Sequence, residues 1–372
     1  MNSTKKALFI VIGMSMSLLA GLVLLEIIFG QWFRPDPWVA TRQLNIIRQQ
    51  SITYNVQNIQ GHSSPTVFYS RDAFGLRGTC ARPQDIDILT IGGSTTDQRL
   101  ISDGQTWQDI LQAEIKQQLK KSVCVSNAGV DGHSTFGHLQ AFRQWFPLIE
   151  GLNPKLYVLY IGINDAGIRL TPRDAFDTFN PDDRSIPSKS LWDKSAIHQV
   201  FLLLRSMKTS HSGSSIAAYA GHAKRPPLLS EYTATRYSSD IDALIEKNTA
   251  LFSRRLNALI DEVVLRKGTV VCVSQPHLFT KMVQGQLRGV ENAFDFEGRI
   301  YNGLDYEKSI HHLNQAMREV CSRRQGFFVD MASNDFLTAD FYDFVHNTPE
   351  GAVRLGKYFF REFNRIHLFD AL

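Results

Sequence analysis

Residues 87–96 read DILTIGGSTT, an apolar run that breaks on two glycines and delivers a serine followed by two threonines. A nearly continuous apolar run is what a strand buried on both faces looks like, and the Gly-Gly pair that ends it marks a tight turn. Four more segments repeat the pattern: VCVSNAG at 123–129, LYVLYIG at 156–162, TVVCVSQP at 269–276 and GFFVDM at 326–331. Between and after them, apolar residues recur at three-to-four spacing over 106–119, 138–149, 241–266, 306–323 and 349–366, which predicts helices there. The last of these has the clearest start: Asn347 or Thr348 can cap it, Pro349 fits its first turn and Glu350 complements its dipole. Strands alternating with helices imply a parallel sheet with right-handed crossovers, so the expected fold is α/β, a three-layer α/β/α sandwich on five strands.

Composition agrees with this and excludes several classes. The 372 residues are 43% hydrophobic and 20% charged, ordinary for a globular chain and unlike a disordered, collagen-like or many-span membrane protein. The net charge of +4 is spread out rather than gathered into basic runs, which argues against nucleic acid as a partner. Cys80, Cys124, Cys272 and Cys321 form no C-x-x-C pair, so neither a zinc knuckle nor a dithiol motif is present. Cys124 and Cys272 sit within β-branched runs and read as free, buried small hydrophobes. That leaves Cys80 and Cys321 to pair in an oxidising compartment, although spacing alone does not set connectivity.

Residues 7–29 form an apolar stretch with one ionisable side chain, Glu26, about the ~20 residues that cross a bilayer. Lys5 and Lys6 precede it, and Trp32, Phe33 and Trp38 follow as candidate interfacial anchors. The expectation is a single-pass anchor with residues 1–6 in the cytoplasm and the rest periplasmic or extracellular. The alternative is a cleaved secretory signal, but the stretch is long for one and no A-x-A site closes it. Residues 30–84 read as an irregular connector or small subdomain, and 85–372 as the catalytic domain, interrupted by a Pro-, Ser- and Asp-rich insertion at about 166–240. Within that insertion, 191–207 has the spacing of an amphipathic helix presenting Trp192, Ile197, Val200, Phe201 and Leu204, most simply as a core face and otherwise as a lid or a surface facing the membrane.

Ligands of parallel sheets gather at the carboxyl ends of the strands. After the first strand comes Gly92-Gly93-Ser94-Thr95-Thr96, after the second Asn127-Ala128-Gly129-Val130-Asp131-Gly132, and after the third Gly162-Ile163-Asn164-Asp165. Beyond the fifth lies Asp343-Phe344-Val345-His346. Each piece alone is weak, but their order along one sheet rim is specific. Together they resemble the SGNH hydrolase family, also called GDSL esterases, over residues 85–369. The resemblance implies a flavodoxin-like sheet of order 2-1-3-4-5, with Ser94 as nucleophile and His346 as base. It also implies Gly132 and Asn164 as the block-two glycine and block-three asparagine. The family often has Gly-Asp-Ser where this chain has Gly93 before the serine, which implies altered local hydrogen bonding; Asp97 is the candidate to replace some of it.

The side-chain types explain the chemistry. A serine hydroxyl needs a base to take its proton, and an imidazole has the pKa range to accept and return it. Asp343 would orient His346 and stabilise the imidazolium. The amides of Ser94 and Gly132 and the side chain of Asn164 are candidates for the oxyanion hole. His133 and His277, at the same rim, are candidates for substrate contact. No metal or cofactor is expected: His311-His312 alone makes no metal site, and phosphate-loop, dinucleotide and G-x-S-x-G signatures are absent. The expected function is a membrane-anchored serine esterase that removes acyl groups from envelope glycans or lipids. An envelope-biosynthesis protein is a further expected partner. An O-acyltransferase acting through the same triad is the alternative, and a non-catalytic glycan-binding scaffold the third reading.

Overall fold

The computed structural model describes residues 3–30, 32–33, 37–167, 194–198, 200–201, 225–296 and 298–372. Its strands, in chain order, are β1 (Gln50–Asn55), β2 (Thr66–Arg71), β3 (Ile88–Gly92), β4 (Val125–Asn127), β5 (Leu156–Tyr160), β6 (Tyr232–Ala234), β7 (Thr269–Val273), β8 (Thr280–Val283), β9 (Gln286–Val290), β10 (Phe294–Phe296), β11 (Arg299–Tyr301) and β12 (Phe327–Val329). The helices are α1 (Ser3–Phe29), α2 (Ser94–Asp97), α3 (Trp107–Glu114), α4 (Thr135–Gln140), α5 (Ile163–Ala166), α6 (Ile241–Leu265), α7 (Gly303–Arg323) and α8 (Pro349–Arg365).

The five apolar runs become one sheet ordered β4-β3-β5-β7-β12, every pair parallel. Numbered within the sheet this is 2-1-3-4-5, the flavodoxin-like order. Both faces are covered. On one, Trp107, Leu111 and Ile115 from α3 and its continuation meet Leu355, Phe359 and Phe363 of α8 over Ile88, Val158, Tyr160 and Val271. Trp107 stacks on Phe359 with ring centres 4.1 Å apart, and Gly356 permits the approach, because a Cβ there would run into Ile110 and the Trp107 carbonyl. Full burial of each such side chain stabilises by roughly 1.5–3 kcal/mol. On the other face α6 packs between α4 and α7.

Local signals set the helix starts. Thr106 accepts from the Asp109 amide while the Asp109 carboxylate accepts from Thr106 N, a reciprocal cap on α3. Thr348 caps α8 by accepting from the Gly351 amide. Two starts lie earlier than their apolar spacing predicts. The helix expected over 138–149 begins at Thr135 and loosens into a wide turn after Gln140, and the one expected over 306–323 begins at Gly303 under an Asn302 cap.

Three features differ from expectation. The connector contains the antiparallel hairpin β1–β2, whose Val67, Tyr69 and Arg71 alternate inward along β2. A second antiparallel sheet, β6-β9-β8, and the short pair β10–β11 occur between β5 and α7. The cysteines pair as Cys80–Cys124 and Cys272–Cys321, with Cα separations of 5.7 and 6.5 Å, so neither Cys124 nor Cys272 is free and Cys80 and Cys321 are not partners. Spatial neighbours decide pairing: β12 lies beside β7, which brings the end of α7 to Cys272.

The chain divides into two units, Met1–Arg42 with Ser185–Tyr219, and Gln43–Arg184 with Ala220–Leu372. In the first, α1 carries a 21-residue apolar stretch, Phe9–Phe29, of mean hydropathy 2.3, long enough to cross a bilayer; a signal sequence near the N-terminus has the same character. The Glu26 carboxylate accepts from Trp32 Nε1, Ser195 Oγ and the amides of Ala196 and Ile197. Ile197, Val200 and Phe201 are exposed rather than packed in a core. Trp192 and Leu204, and with them most of the expected 191–207 helix and of the 166–240 insertion, lie outside the described residues.

Candidate active site

The first strand ends in Gly92-Gly93, and the chain turns at once into α2, with Ser94 as its first residue. The Ser94 amide therefore has no intrahelical acceptor. Both glycines are sterically required. A Cβ on Gly92 would overlap Thr96 Oγ1 and the Tyr160 carbonyl, and one on Gly93 would overlap Asn164 Nδ2.

The Ser94 hydroxyl lies 2.7 Å from Nε2 of His346, and Nδ1 of that ring lies 2.8 and 2.9 Å from the two carboxylate oxygens of Asp343. With Nδ1–H donating to Asp343, Nε2 carries the lone pair that accepts the serine proton. The carboxylate also accepts from the backbone amides of Val345 and His346, so the loop folds around its own aspartate. Burial pushes the Asp343 carboxyl up, but the His346 imidazole and these amides outweigh it and hold the group far below the usual carboxylate range. The Tyr342 ring stacks parallel to the His346 ring at 5.5 Å, a second restraint on the imidazole that the Asp-x-x-His pattern does not announce.

The remaining rim residues converge on the same turn. Asn164, in α5, donates from Nδ2 to the His133 carbonyl at 2.9 Å, which places its amide beside residue 93. Gly132 is exposed with φ +77, in a loop bound to the serine turn by the Val130 amide donating to the Gly92 carbonyl. A left-handed residue at that tip favours glycine. The neighbouring Asp165 is buried and accepts from the amide and hydroxyl of Thr135, joining the third loop to the start of α4. Burial pushes its carboxyl up to about 6 against those two hydrogen bonds.

Two of the sequence candidates face other partners. The His133 ring meets the Leu44 carbonyl through Nε2 at 2.9 Å, and burial lowers its pKa to about 4, so it is neutral at physiological pH. His277 pairs through Nε2 with Glu307 at 3.2 Å and accepts the Phe279 amide on Nδ1, and its segment touches the catalytic loop where the Leu278 amide donates to the Phe344 carbonyl. Asp97 does not stand in for an aspartate next to the serine. It is the last residue of α2, and its buried carboxylate accepts from Arg71 and the Tyr69 hydroxyl, with Arg99 3.3 Å from its other oxygen. Burial would raise its pKa; the guanidinium groups of Arg71, Arg99 and Arg77 more than offset that and keep it ionised. Among the described residues no cluster of His, Cys, Asp or Glu could hold a metal ion.

Residues 90–354 match the GDSL-like lipase/acylhydrolase family. No curated protein sequence matches. Among solved structures, LAE5, an alpha/beta hydrolase enzyme from the metagenome of Lake Arreo, Spain, is 13% identical with a TM-score of 0.41, over 74% of this chain and 94% of that one. Axe2, an acetylxylan esterase from Geobacillus stearothermophilus, is 11% identical with a TM-score of 0.41, over 74% and 92%. TesA is 12% identical with a TM-score of 0.38, over 74% and 97%.

Proposed function

The chain belongs to the GDSL-like lipase/acylhydrolase family, and from that premise we propose that it is a membrane-anchored serine esterase removing acyl groups from glycans or lipids of the cell envelope. The observation that carries the proposal is the hydrogen-bonded relay Ser94–His346–Asp343 at the rim of the sheet. Ser94 Oγ attacks the ester carbonyl as its proton passes to His346 Nε2. The resulting oxyanion is met by the amides of Ser94 and Gly132 and by Asn164 Nδ2, and its collapse releases the alcohol, which takes the proton back from His346. Water then enters on the acyl-serine by the same route, leaving the free acid and the regenerated hydroxyl.

The anchored, extracytoplasmic setting is supported by α1 and by the two cysteine pairs, since disulfides persist in oxidising compartments. Lys5 and Lys6 before the span favour a cytoplasmic N-terminus. The test is to treat the full chain in detergent with a fluorophosphonate probe and with p-nitrophenyl acetate. Ser94 labels and the ester is hydrolysed, and Ser94→Ala loses both. A folded wild type that neither labels nor turns over would refute the esterase. Release of a labelled acetyl group to an added glycan instead of to water would replace hydrolysis with transfer.

A further inference from the structure

A cleft of about 680 Å³ opens between α7 and the segment that follows β12, a size within the roughly 300–1,000 Å³ of small-molecule sites. It is separate from the Ser94 relay, none of whose three residues lines it, yet the two share a wall. Gln275, in the cleft, donates from Nε2 to the Tyr160 carbonyl at 2.6 Å and to Thr95 Oγ1 at 3.1 Å, next to the nucleophile. Phe341, at the other side, begins the loop that carries Asp343 and His346.

The lining specifies a chemistry. With both acceptors facing Nε2, the orientation of the Gln275 amide is fixed, and its Oε1 is buried without a protein partner among the described residues; so is Oδ1 of Asn314 on α7. Buried acceptors left unpaired are costly, so a hydroxyl or amide hydrogen that reached either oxygen would gain a matched partner. The polar groups of the cleft face one another, Glu307 with His277 at 3.2 Å and Arg318 with Asp330 at 3.3 Å, so the lining offers no unopposed cation to an acidic ligand. Phe328 and Phe336 add half-buried aromatic surface. Unpaired acceptors, neutralised charges and aromatic faces together suit an uncharged polyol with C–H faces.

We infer that this cleft is a binding site for a neutral oligosaccharide, which holds the glycan part of a substrate beside the acyl-transfer site. The binding itself stands on the cleft, while its purpose rests on the esterase reading above. The experiment separates the two by using the full chain in detergent with Ser94 blocked by fluorophosphonate, so that no turnover is required. Xylotetraose, cellotetraose and chitotetraose are titrated by calorimetry alongside tetragalacturonate. At least one neutral sugar saturates, and Asn314→Leu weakens it five-fold or more. His311→Trp, which fills an exposed rim position without disturbing the core, weakens it likewise. The inference is overturned if no neutral sugar binds, if the acidic one binds best, or if both variants bind as the parent does. Hydrolysis of p-nitrophenyl acetate by unblocked protein tests the esterase reading on its own.

Discussion

The two halves of the Ser94–His346–Asp343 relay are held in opposite ways. The Asp343–His346 half is built from one short loop: the aspartate orients the histidine, accepts two amides of its own loop, and Tyr342 stacks on the same ring. The Ser94 half depends on distant segments. Beneath α2, Arg71 donates to Asp97 and to the Gly129 and Asn127 carbonyls, while Arg77 donates to the carbonyls of Asp97, Gln98 and Ile101 and to Asp103. Both arginines come from the connector before β3. A local device can therefore be damaged in rate with little change to the fold, whereas the long-range one should fail first as stability.

The largest effect is expected from the local half. Asp343→Asn keeps the shape of the loop but favours the wrong imidazole tautomer, and kcat for p-nitrophenyl acetate should fall about 10⁴-fold. A loss under tenfold would mean that the loop amides and Tyr342 orient His346 without the carboxylate, and the contrast between the halves would disappear.

Next comes the buried charge network. Arg71→Met leaves Asp97 buried without its main partner, and breaking such a pair costs about 3–5 kcal/mol of stability in urea unfolding. Adding Asp97→Leu should recover much of that cost, because the penalty lies in the unpaired charge. If the single variant unfolds like the parent, the connector does not hold the serine turn. Asn164→Ala tests the side chain beside the serine turn: loss of one oxyanion donor should lower kcat by about 10²- to 10³-fold while the serine still labels with fluorophosphonate. An unchanged kcat would remove Asn164 from the hole.

This division also explains what could be read in advance. The apolar runs of strands buried on both faces marked the rim where Ser94 and Asn164 lie, and the family resemblance singled out these two together with Asp343 and His346. The sheet order came with the family resemblance, and β4-β3-β5-β7-β12 agrees with it. Arg71 and Arg77 were not visible, because an arginine in an irregular stretch reads as solvated until a partner far along the chain is known. The alternation of Val67, Tyr69 and Arg71 was the one signal that an inward-facing strand lay there. The hairpin β8–β9 turns on Gln284-Gly285, both at positive φ, and its strands, largely exposed or half-buried, lack the apolar run that revealed the parallel strands. Disulfide pairing was hidden for the same reason as the arginine network, since it depends on which distant segments become neighbours.

The smallest effect concerns Asp165, one residue beyond Asn164, where a local motif residue is also a long-range tie. Its carboxylate holds the amide and hydroxyl of Thr135 at the start of α4, a favourable place for negative charge, yet burial pushes its pKa from 3.8 up to about 6. Between those values the folded chain keeps a proton that the unfolded chain has released, so this group makes stability fall as pH rises from about 4 to 6. A shift of that size corresponds to about 3 kcal/mol. Asparagine can accept the Thr135 amide through Oδ1 and donate to its hydroxyl through Nδ2 without titrating. Urea unfolding of Asp165→Asn beside the parent should therefore show the variant gaining relative stability across that window and holding it above. A difference independent of pH would mean that the carboxylate is ionised throughout, with the Thr135 bonds and the nearby Arg255 outweighing its burial.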